Sequence, residues 1–391
     1  MTSWPSVAIA GGSIGGLTTA VLLAGLGCDV HVFERSSDAL QSRGAGIVVL
    51  PITEKYFTDG DGRGERVSLR LNHWTYMDAS GNIIDERVEP YHFGGCSTVY
   101  RALLDAFDPD RYHLDSRVVD VRTDRNAAAL VLESGDEIDA DLVVCADGVA
   151  STAREILLPG AYPEYAGYVA WRGTAPEMAL SASALADVRD AMIYQVLTDS
   201  HILVYAIPDN DGSIEPGRRL INFVWYRNYP VGGAFEDLMT DADGELWEST
   251  VPPGMVRDVH LADLHETAKS LAPTLREIVS TADDVLIQAI FDLESPRMVF
   301  GRACLLGDAA FALRPHVAAG QAKACADAWE LRDAMERSAG DVTAALMDWE
   351  PTQLELGRRV CRRSRDMGRR AQFEGRMVPG DARWKFGLFD L

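Results

Sequence analysis

The sequence has a shortage of positive charge, and this excludes several classes of partner. Lysine and arginine together number 37 against 59 acidic residues, so the 391-residue chain carries a formal net charge of −22. This charge disfavours nucleic acids and anionic membrane surfaces as partners. The first apolar helical pattern, Leu17–Leu26, is too short to cross a bilayer, and no basic segment of a signal peptide precedes the first strand. We therefore expect a cytoplasmic protein.

The sequence also lacks any C-x-x-C pair among its six cysteines. Four of them lie in apolar strand or helix patterns, which predicts buried free thiols and no metal site. The apolar fraction of 47% and the length suit a large core shared by two closely joined domains. No repeat or low-complexity linker divides the chain, so we expect the two domains to be interleaved.

A glycine-rich segment near the N-terminus is the most informative feature present. Residues 7–34 read VAIAGGSIGGLTTAVLLAGLGCDVHVFE. An apolar strand, a glycine turn, a helix and a second strand ending at Glu34 follow one another, as in a βαβ dinucleotide-binding unit. A glycine turn in an unrelated α/β unit is the alternative, and the strand context and the acid at Glu34 disfavour it.

Each position of this fingerprint has a physical role. Gly11 permits the tight turn after the strand, and Gly16 lets the helix pack close to the sheet. The unpaired N–H groups at the helix N-terminus face a pyrophosphate, and Glu34 can accept hydrogen bonds from ribose hydroxyls. Ser13 replaces the middle glycine of G-x-G-x-x-G, and its hydroxyl can donate to the pyrophosphate.

The rest of the chain predicts a second, β-rich region. Residues 56–66 are predicted to be an exposed loop, and alternation over 67–92 predicts a β-hairpin. Further predicted elements are a helix at 98–107, strands at 117–123, 128–133 and 141–146, an antiparallel sheet within 162–227, helical segments over 234–281, strands at 285–291 and 303–306, and long helices at 318–336 and 341–371.

Two further motifs place an acidic residue after an apolar strand. Asp147-Gly148 follows one strand, and Gly307-Asp308 follows another. A carboxylate at a strand end can bind sugar-like hydroxyls. The helix that begins near Ala318 directs its positive end towards any anion or electron-rich ring placed there.

These three motifs, in this order, resemble the single-component FAD-dependent aromatic hydroxylases, which fold like p-hydroxybenzoate hydroxylase. The resemblance spans the chain and is stronger for a subgroup that acts on dihydroxypyridines. The segments that carry it are AGYVAWRG (166–173), HILVYAIP (201–208), NFVWY (222–226), RPHVAAGQAKAC (314–325) and FGL (386–388).

The resemblance implies an α/β fold. A Rossmann-like FAD-binding domain of the glutathione-reductase type would be interleaved with a mixed β-sheet substrate domain and followed by C-terminal helices. The expected boundaries are 1–66, 95–160 and 283–340 for the FAD-binding domain, 67–94 and 161–282 for the substrate domain, and 341–391 for the C-terminal helix and tail.

The resemblance also implies residues that contact FAD. They are Gly11, Ser13, Ile14, Gly16, Glu34, Arg35, Arg43, Gly46, Arg101, Val119, Asp147, Gly148, Asp308, Pro315, Ala318, Ala319 and Gly320. NAD(P)H would dock transiently at the flavin, because the chain has no second nucleotide-binding unit of its own. A homodimer is implied by the resemblance alone.

The implied activity is a monooxygenase reaction on a small, electron-rich hydroxylated aromatic or pyridine ring. NAD(P)H would reduce FAD, and O₂ would then form a flavin C4a-hydroperoxide that the ring attacks. Oxygenation of a larger polycyclic or polyketide-type substrate is one alternative, and a non-catalytic FAD-binding protein is another. A flavin-dependent halogenase is disfavoured because no W-x-W-x-I-P segment is found.

Six positions are candidates for catalysis or substrate contact beside the flavin, and His316, Pro315 and Arg172 are the three candidates for catalysis. His316, next to Pro315 on the Gly-Asp loop, would share the proton of a ring hydroxyl, or would only hydrogen-bond the backbone. Arg172 would orient flavin or substrate, or would pair structurally with an acid. The candidate substrate-contacting residues are Tyr168, Tyr205, Trp225 and His316, although aromatic residues at alternating strand positions also form cores.

Overall fold

The computed structural model describes residues 4–38, 46–59 and 67–388, which form eighteen strands and ten α-helices. The strands are β1 (Ser6–Ala10), β2 (Asp29–Phe33), β3 (Gly46–Val49), β4 (Leu69–Met77), β5 (Ile83–Gly95), β6 (Tyr112–His113), β7 (Val118–Thr123), β8 (Ala128–Leu132), β9 (Glu137–Ala140), β10 (Leu142–Cys145), β11 (Glu164–Pro176), β12 (Ala191–Leu197), β13 (Ser200–Ile207), β14 (Leu220–Asn228), β15 (Thr250–Val251), β16 (Leu286–Asp292), β17 (Val299–Phe300) and β18 (Ala303–Leu305). The helices are α1 (Ile14–Leu26), α2 (Pro51–Asp59), α3 (Cys96–Asp105), α4 (Thr152–Leu157), α5 (Ala182–Val188), α6 (Gly233–Met239), α7 (Asp258–Ala268), α8 (Pro273–Thr281), α9 (Gly320–Arg337) and α10 (Val342–Gln372).

The predicted α/β fold with C-terminal helices is confirmed, and the elements differ from expectation in a few places. The predicted hairpin is the β4–β5 pair, and the two long helices are α9 and α10. Residues 56–59, expected in a loop, belong to α2, which begins at Pro51, a residue favoured in a first helical turn. The remainder of that predicted loop, 60–66, lies outside the described residues. The sequence patterns gave no signal for α5 or β9.

A mainly parallel sheet carries the predicted nucleotide-binding motifs. Its strand order is β17-β18-β10-β1-β2-β6, and all pairs are parallel except β17–β18. Helices α1 and α9 pack against each other beside this sheet. The carboxyl ends of its parallel strands therefore meet at one edge, where ligands bind in open α/β sheets.

A nine-stranded mixed sheet forms the second region, in the order β15-β16-β11-β14-β13-β12-β4-β5-β3. Only β4 and β12 pair in parallel within it. Two of its strands, β3 and β16, fall inside segments whose expected boundaries assigned them to the FAD-binding domain, so sheet membership differs from those boundaries. Both strands are mainly apolar and buried, and sequence alone does not indicate which sheet such a strand joins. A separate three-stranded sheet contains β7, β8 and β9.

The two larger sheets each have a buried core, and the C-terminal segment, residues 373–388, packs on the core of the nine-stranded sheet. Trp384 and Leu388 are both about 4% exposed and belong to the core of the nine-stranded sheet. Helix α10 packs along α9 and also reaches β13 and β14. The C-terminal residues therefore close one side of the space between the two sheets.

Candidate active site

The three sequence motifs converge on one cavity of about 370 Å³, called here the first cavity. It lies at the carboxyl ends of β1, β2, β10 and β18 and is lined by residues that follow each strand. Gly11 follows β1, Glu34 follows β2, Asp147 follows β10 and Asp308 follows β18. Loops separated by up to about three hundred residues in the chain thus form one wall because parallel strands end at a common edge.

The turn after β1 has no room for side chains. Gly11 has a φ of +96°, and a Cβ there would overlap the backbone of Ala146. A Cβ at Gly12 would overlap the Tyr112 hydroxyl, which donates a hydrogen bond to the Gly12 carbonyl at 2.9 Å. The Gly12 N–H donates to Glu34 Oε2, also at 2.9 Å. The carboxylate therefore fixes the turn and retains lone pairs for a ligand hydroxyl.

The N-terminus of α1 opens into the first cavity. Ser13 is the N-cap residue, its hydroxyl makes no capping hydrogen bond, and it is exposed in the cavity. No acidic residue lies in the first turn of α1, so its positive end is uncompensated and suits an anionic group. Gly16 faces the sheet instead: a Cβ there would overlap the Gly11 carbonyl oxygen.

The Asp-Gly loop is held by its own side chains. Asp147 accepts hydrogen bonds from the Ser151 hydroxyl at 2.5 Å and from the Ala153 N–H at 3.1 Å. Burial raises the pKa of Asp147, and these hydrogen bonds oppose that rise. Its carboxylate therefore holds in place the loop that forms this wall of the cavity.

A fully buried arginine connects this loop to the Gly-Asp turn. Arg154 donates to the carbonyl oxygens of Val149 at 2.8 Å and Ala309 at 3.3 Å, one on each loop. Arg154, seven residues after Asp147, therefore holds two cavity walls together.

A buried ion pair anchors the Gly-Asp turn from behind. Lys323 and Asp327, both on α9, are about 1% and 0% exposed and form an ion pair. Asp327 Oδ2 also accepts a hydrogen bond from the Gly307 N–H at 3.0 Å. The side chain of Asp308 is exposed in the cavity; partial burial by the surrounding walls raises its pKa to about 6, and Lys323 opposes this.

A second cavity of about 230 Å³ adjoins the first. Val149, Asp308, Gly320 and Gln321 line both cavities, so one elongated ligand can pass from one to the other. The second cavity lies between the nine-stranded sheet, the 3₁₀ turn at Pro315–Val317 and the C-terminal segment. Its walls are mainly aromatic and aliphatic, which is typical of sites for small organic ligands.

His316 is buried in the wall of this second cavity among aromatic rings. Its ring centroid lies 4.9 Å from that of Tyr226 and 5.2 Å from that of His201. Its Nε2 lies 2.8 Å from the Tyr168 hydroxyl. Burial, with smaller contributions from His201 and Arg314, lowers the pKa of His316 well below its ordinary value. The ring is therefore neutral at neutral pH.

Arg172 lines the second cavity and also makes structural contacts. It donates hydrogen bonds to the Gly46 carbonyl at 2.5 Å and to Gln288 Oε1 at 3.3 Å. Its Nε is buried and has no hydrogen-bond partner within the described ranges. The guanidinium therefore joins β3 and β16 to β11.

Most predicted site residues line one of the two cavities. Those at the first cavity are Gly11, Ser13, Ile14, Glu34, Arg35, Asp147, Gly148, Asp308 and Gly320. Those at the second are Gly46, Arg172, Tyr205, Asp308, Pro315, His316, Ala318, Ala319 and Gly320. Arg43 lies outside the described residues.

Two predicted residues have side chains that point away from the cavities. Trp225 is buried away from the cavity and donates to the Ser200 hydroxyl at 3.0 Å. Its neighbours Val224 and Tyr226 line the cavity, because successive strand side chains point to opposite faces. Val119 is 42% exposed, and Val118 lines the first cavity in its place.

Three more predicted residues lie near the cavities without lining them. Gly16 packs α1 against the turn after β1, as described above. Arg101 is half-buried on α3, next to Tyr100, which does line the first cavity. Tyr168 lies behind His316 and contacts it rather than the cavity itself.

Sequence reasoning missed several residues that line the second cavity. They are Tyr194, His201, Tyr226, Gln288, Met377, Trp384 and Phe386. Alternation on β13 and β14 could have found His201 and Tyr226 once the inward face was known. Nothing local in the sequence places the C-terminal segment over this cavity.

The two cavities fit FAD on structural grounds. The helix N-terminus and the bare turn at Gly11 suit a pyrophosphate, Glu34 and Asp308 suit hydroxyls, and the second cavity suits a ring system. Within the described ranges no group of three or more histidine, cysteine or acidic side chains could hold a metal ion. The six cysteines are free, and five are buried, as predicted.

The helices that the structure describes bear on the membrane prediction. Of these, none combines the length and the apolar character that a membrane span requires.

Comparison with known proteins supports the same interpretation. Residues 165–292 match a family model described as FAD binding domain-like, and residues 55–167 match the flavin containing amine oxidoreductase family. The chain is 34% identical to 2,6-dihydroxypyridine 3-monooxygenase of Paenarthrobacter nicotinovorans, covering 98% of this chain and 95% of that protein. It is 27% identical to 6-hydroxynicotinate 3-monooxygenase of Bordetella bronchiseptica, covering 94% and 92%.

A solved structure agrees with these relatives. The structure of 2,6-dihydroxypyridine-3-hydroxylase from Arthrobacter nicotinovorans superposes with a TM-score of 0.92 at 33% identity, covering 100% of this chain and 98% of that one. The resemblance predicted from the motifs is therefore confirmed. The chain belongs to the family of FAD-dependent aromatic hydroxylases and is an FAD-dependent monooxygenase.

Proposed function

We propose that this monooxygenase uses NAD(P)H and O₂ to hydroxylate a single electron-rich ring, a hydroxylated pyridine or a hydroxylated benzene. The observation that carries the proposal is the second cavity, which adjoins the proposed flavin site and is lined by aromatic side chains and by His316. The two relatives described above are named for hydroxypyridine substrates, which supports this class of ring.

The size of the second cavity supports a monocyclic substrate. A buried cavity of roughly 150 Å³ is large enough for benzene. The second cavity measures about 230 Å³ and would also have to admit the flavin ring along Pro315–Gly320, so the space that remains suits one small ring. The C-terminal segment closes it: the Gly387 N–H donates to the Val317 carbonyl at 3.0 Å, and Arg363 donates to the Gly387 carbonyl at 2.8 Å. A polycyclic substrate would have to displace this segment.

We place the cofactor along both cavities. The adenosine and pyrophosphate would lie in the first cavity against Glu34 and the N-terminus of α1, and the ribityl chain would pass Asp308. The isoalloxazine would lie along Pro315–Gly320, where the N-terminus of α9 directs its dipole. When bound, FAD supplies the electron transfer and the activation of O₂.

The protein would supply orientation and a dry environment. Tyr205 and Tyr226 would contact the faces or edges of the substrate ring, and Arg172 would offer a donor to the flavin or to a ring substituent. His316, which is neutral, would hydrogen-bond a ring hydroxyl or its anion. The closed C-terminal segment would exclude water, which limits loss of activated oxygen as peroxide.

Three finer features are also proposed. NAD(P)H would dock transiently at the flavin, because the described residues contain one βαβ nucleotide-binding unit. The enzyme would work in the cytoplasm, where reduced nicotinamides are available and free thiols persist. A homodimer, implied by resemblance, is tested by light scattering after size-exclusion chromatography, and a monomeric mass would contradict it.

The decisive experiment is a substrate screen on the purified holoenzyme. We expect a flavin absorption spectrum, and we expect NADH or NADPH oxidation to be stimulated by dihydroxypyridines or monocyclic phenols with formation of a hydroxylated product. Stimulation by polycyclic phenols alone would overturn the choice of substrate. Absence of oxidation with every ring would favour the non-catalytic alternative and would overturn the proposed reaction.

A further inference from the structure

His316 belongs to a chain of three polar side chains that extends away from the second cavity. Its Nε2 lies 2.8 Å from the hydroxyl of Tyr168, which is fully buried on β11. The Arg314 guanidinium lies beside that tyrosine, with Cζ 5.8 Å from the ring centroid. Arg314 is itself fixed by Asp292, to which its Nε and Nη2 donate at 3.0 and 2.6 Å.

The packing around this chain indicates a built arrangement. A Cβ at Gly368 on α10 would lie 2.7 Å from Arg314 Cδ, 3.0 Å from His316 Cδ2 and 3.1 Å from the Tyr168 hydroxyl oxygen. Glycine is therefore the residue that lets α10 approach all three side chains at once. Ala would be the better helix former at this position, so close packing here has a cost in helix propensity.

The charge of Arg314 determines which way the Tyr168 hydroxyl points. Arginine can only donate hydrogen bonds, so its positive charge attracts the lone pairs of the Tyr168 oxygen and repels the hydroxyl proton. This favours donation of the proton to His316 Nε2, which lies 2.8 Å from the hydroxyl oxygen. Burial keeps Tyr168 protonated by raising its pKa well above the ordinary value, although Arg314 opposes this.

Burial keeps the His316 ring neutral, and His201 on β13 and Arg314 on its own loop lower its pKa further. Tyr226 on β14 also packs against the ring. His201 is buried, its Nδ1 is 3.0 Å from Gln372 Nε2, and burial lowers its pKa to about 3. A neutral imidazole that accepts at Nε2 carries its proton on Nδ1.

We propose that Arg314 and Tyr168 are positioning residues that hold His316 in its Nδ1–H form, so that the ring presents a hydrogen-bond donor to the second cavity. The group that it recognises is an oxygen acceptor on the substrate ring, either an ionised hydroxyl or a ring carbonyl. His316 thereby stabilises the electron-rich, ionised form of the ring instead of removing its proton. The substrate named in this assignment rests on the proposed function. The tautomer of His316 rests on the hydrogen-bond geometry.

The tautomer can be measured without a substrate. The holoenzyme is labelled with ¹⁵N-histidine, and long-range ¹H–¹⁵N spectra are recorded, with His316 assigned by its loss in H316Q. We expect a neutral His316 protonated on Nδ1. In Tyr168→Phe the donor to Nε2 is gone, and we expect the Nε2–H form to appear. Tyr76→Phe is the matched control, because Tyr76 is fully buried and its hydroxyl has no partner among the described residues.

Kinetics then connect the tautomer to the reaction. With the ring selected by the substrate screen, Tyr168→Phe should lower kcat/KM about ten-fold. This is the effect of losing the one hydrogen bond from His316 to the ionised oxygen of the ring. FAD content and melting temperature should remain close to those of Tyr76→Phe. Gly368→Ala, which crowds all three side chains, should lower kcat/KM in the same direction.

Distinct outcomes overturn distinct statements. A wild-type His316 protonated on Nε2, or a Tyr168→Phe spectrum identical to wild type, would overturn the positioning role. Equal kcat/KM values for Tyr168→Phe and Tyr76→Phe would overturn the donor role in the reaction. Failure of every ring in the wild-type screen would instead overturn the proposed function, and the tautomer result would stand on its own.

Discussion

The first and second cavities are built from different parts of the polypeptide. The first is shaped by backbone turns directly after parallel strands, and its key groups lie within three short motifs around Gly11, Asp147 and Asp308. The second is shaped by side chains from β11, β13, β14 and β16, by the turn at Pro315–Val317 and by the C-terminal segment. Local motifs therefore determine the proposed cofactor side, whereas long-range packing determines the proposed substrate side.

The cavities also differ in their electrostatics. Acidic side chains and a helix N-terminus line the first cavity, and Asp308 there has a pKa of about 6. In the second cavity burial lowers the pKa of His201 to about 3 and raises that of Tyr205 to about 12. These titratable groups are neutral at pH 7, and the positively charged Arg172 also lines this cavity. Changes in the two cavities should consequently have separable effects.

The largest effect is expected from Gly11→Val in the first cavity. The positive φ of Gly11 and the overlap of a Cβ with the Ala146 backbone make this substitution both strained and obstructive. We expect FAD affinity to fall roughly 100-fold or more, measured as flavin absorbance per protein after purification. Gly25→Ala is the control, because a Cβ there meets no atom within 4 Å. Stoichiometric FAD in Gly11→Val would show that this turn is not part of the cofactor site.

Asp308 tests the charge of the first cavity through pH. Its pKa of about 6 lies above that of a free carboxyl, so the carboxylate is present at pH 7.5 and is progressively protonated as the pH falls through 6. Protonation weakens an acceptor for ribityl hydroxyls, and FAD affinity should fall between pH 7.5 and pH 5.

Asp308→Asn supplies the comparison for this pH dependence. The variant should bind FAD about ten-fold more weakly at pH 7.5 and should lose the wild-type change between pH 7.5 and 5, as measured by flavin fluorescence titration. A variant that keeps the full wild-type pH dependence would show that another group is responsible.

Tyr226 and Trp225 test which face of β14 serves the substrate. Tyr226→Phe removes a hydroxyl from the second cavity and should raise KM about three- to ten-fold with FAD content unchanged. Trp225→Phe removes a buried indole that bonds to Ser200 and should cost about 1–2 kcal/mol in the free energy of unfolding with KM unchanged. Thermal unfolding and steady-state kinetics measure both, and the reverse pattern would contradict the placement of the strand.

The smallest effect is expected at Val119, which the resemblance assigned to FAD. Its side chain is 42% exposed, so Val119→Thr should change the free energy of unfolding by no more than about 0.5 kcal/mol and leave FAD affinity intact. The corresponding change at Val118, which lines the first cavity, should weaken FAD binding measurably in the same titration. Equal effects at both positions would contradict the assignment of Val118, and not Val119, to the first cavity.

The sequence by itself determined the βαβ unit, the three motifs that meet at the first cavity and the family, because each depends on a few residues close together in the chain. Glycines that tolerate positive φ and acids at strand ends act through their own backbone. These features can therefore be recognised in the sequence without knowledge of any tertiary contact.

Only the tertiary structure decided which strand faces point inward and what closes the second cavity. A shift of one residue moves every strand side chain to the opposite face. The sequence therefore predicts Trp225 as a substrate contact, whereas its neighbour Tyr226 lines the second cavity. The approach of Trp384 and Phe386 to the cavity, and the alignment of Arg314, Tyr168 and His316 beside Gly368, join residues far apart in the sequence. Such contacts arise from packing between distant elements, which no local pattern records.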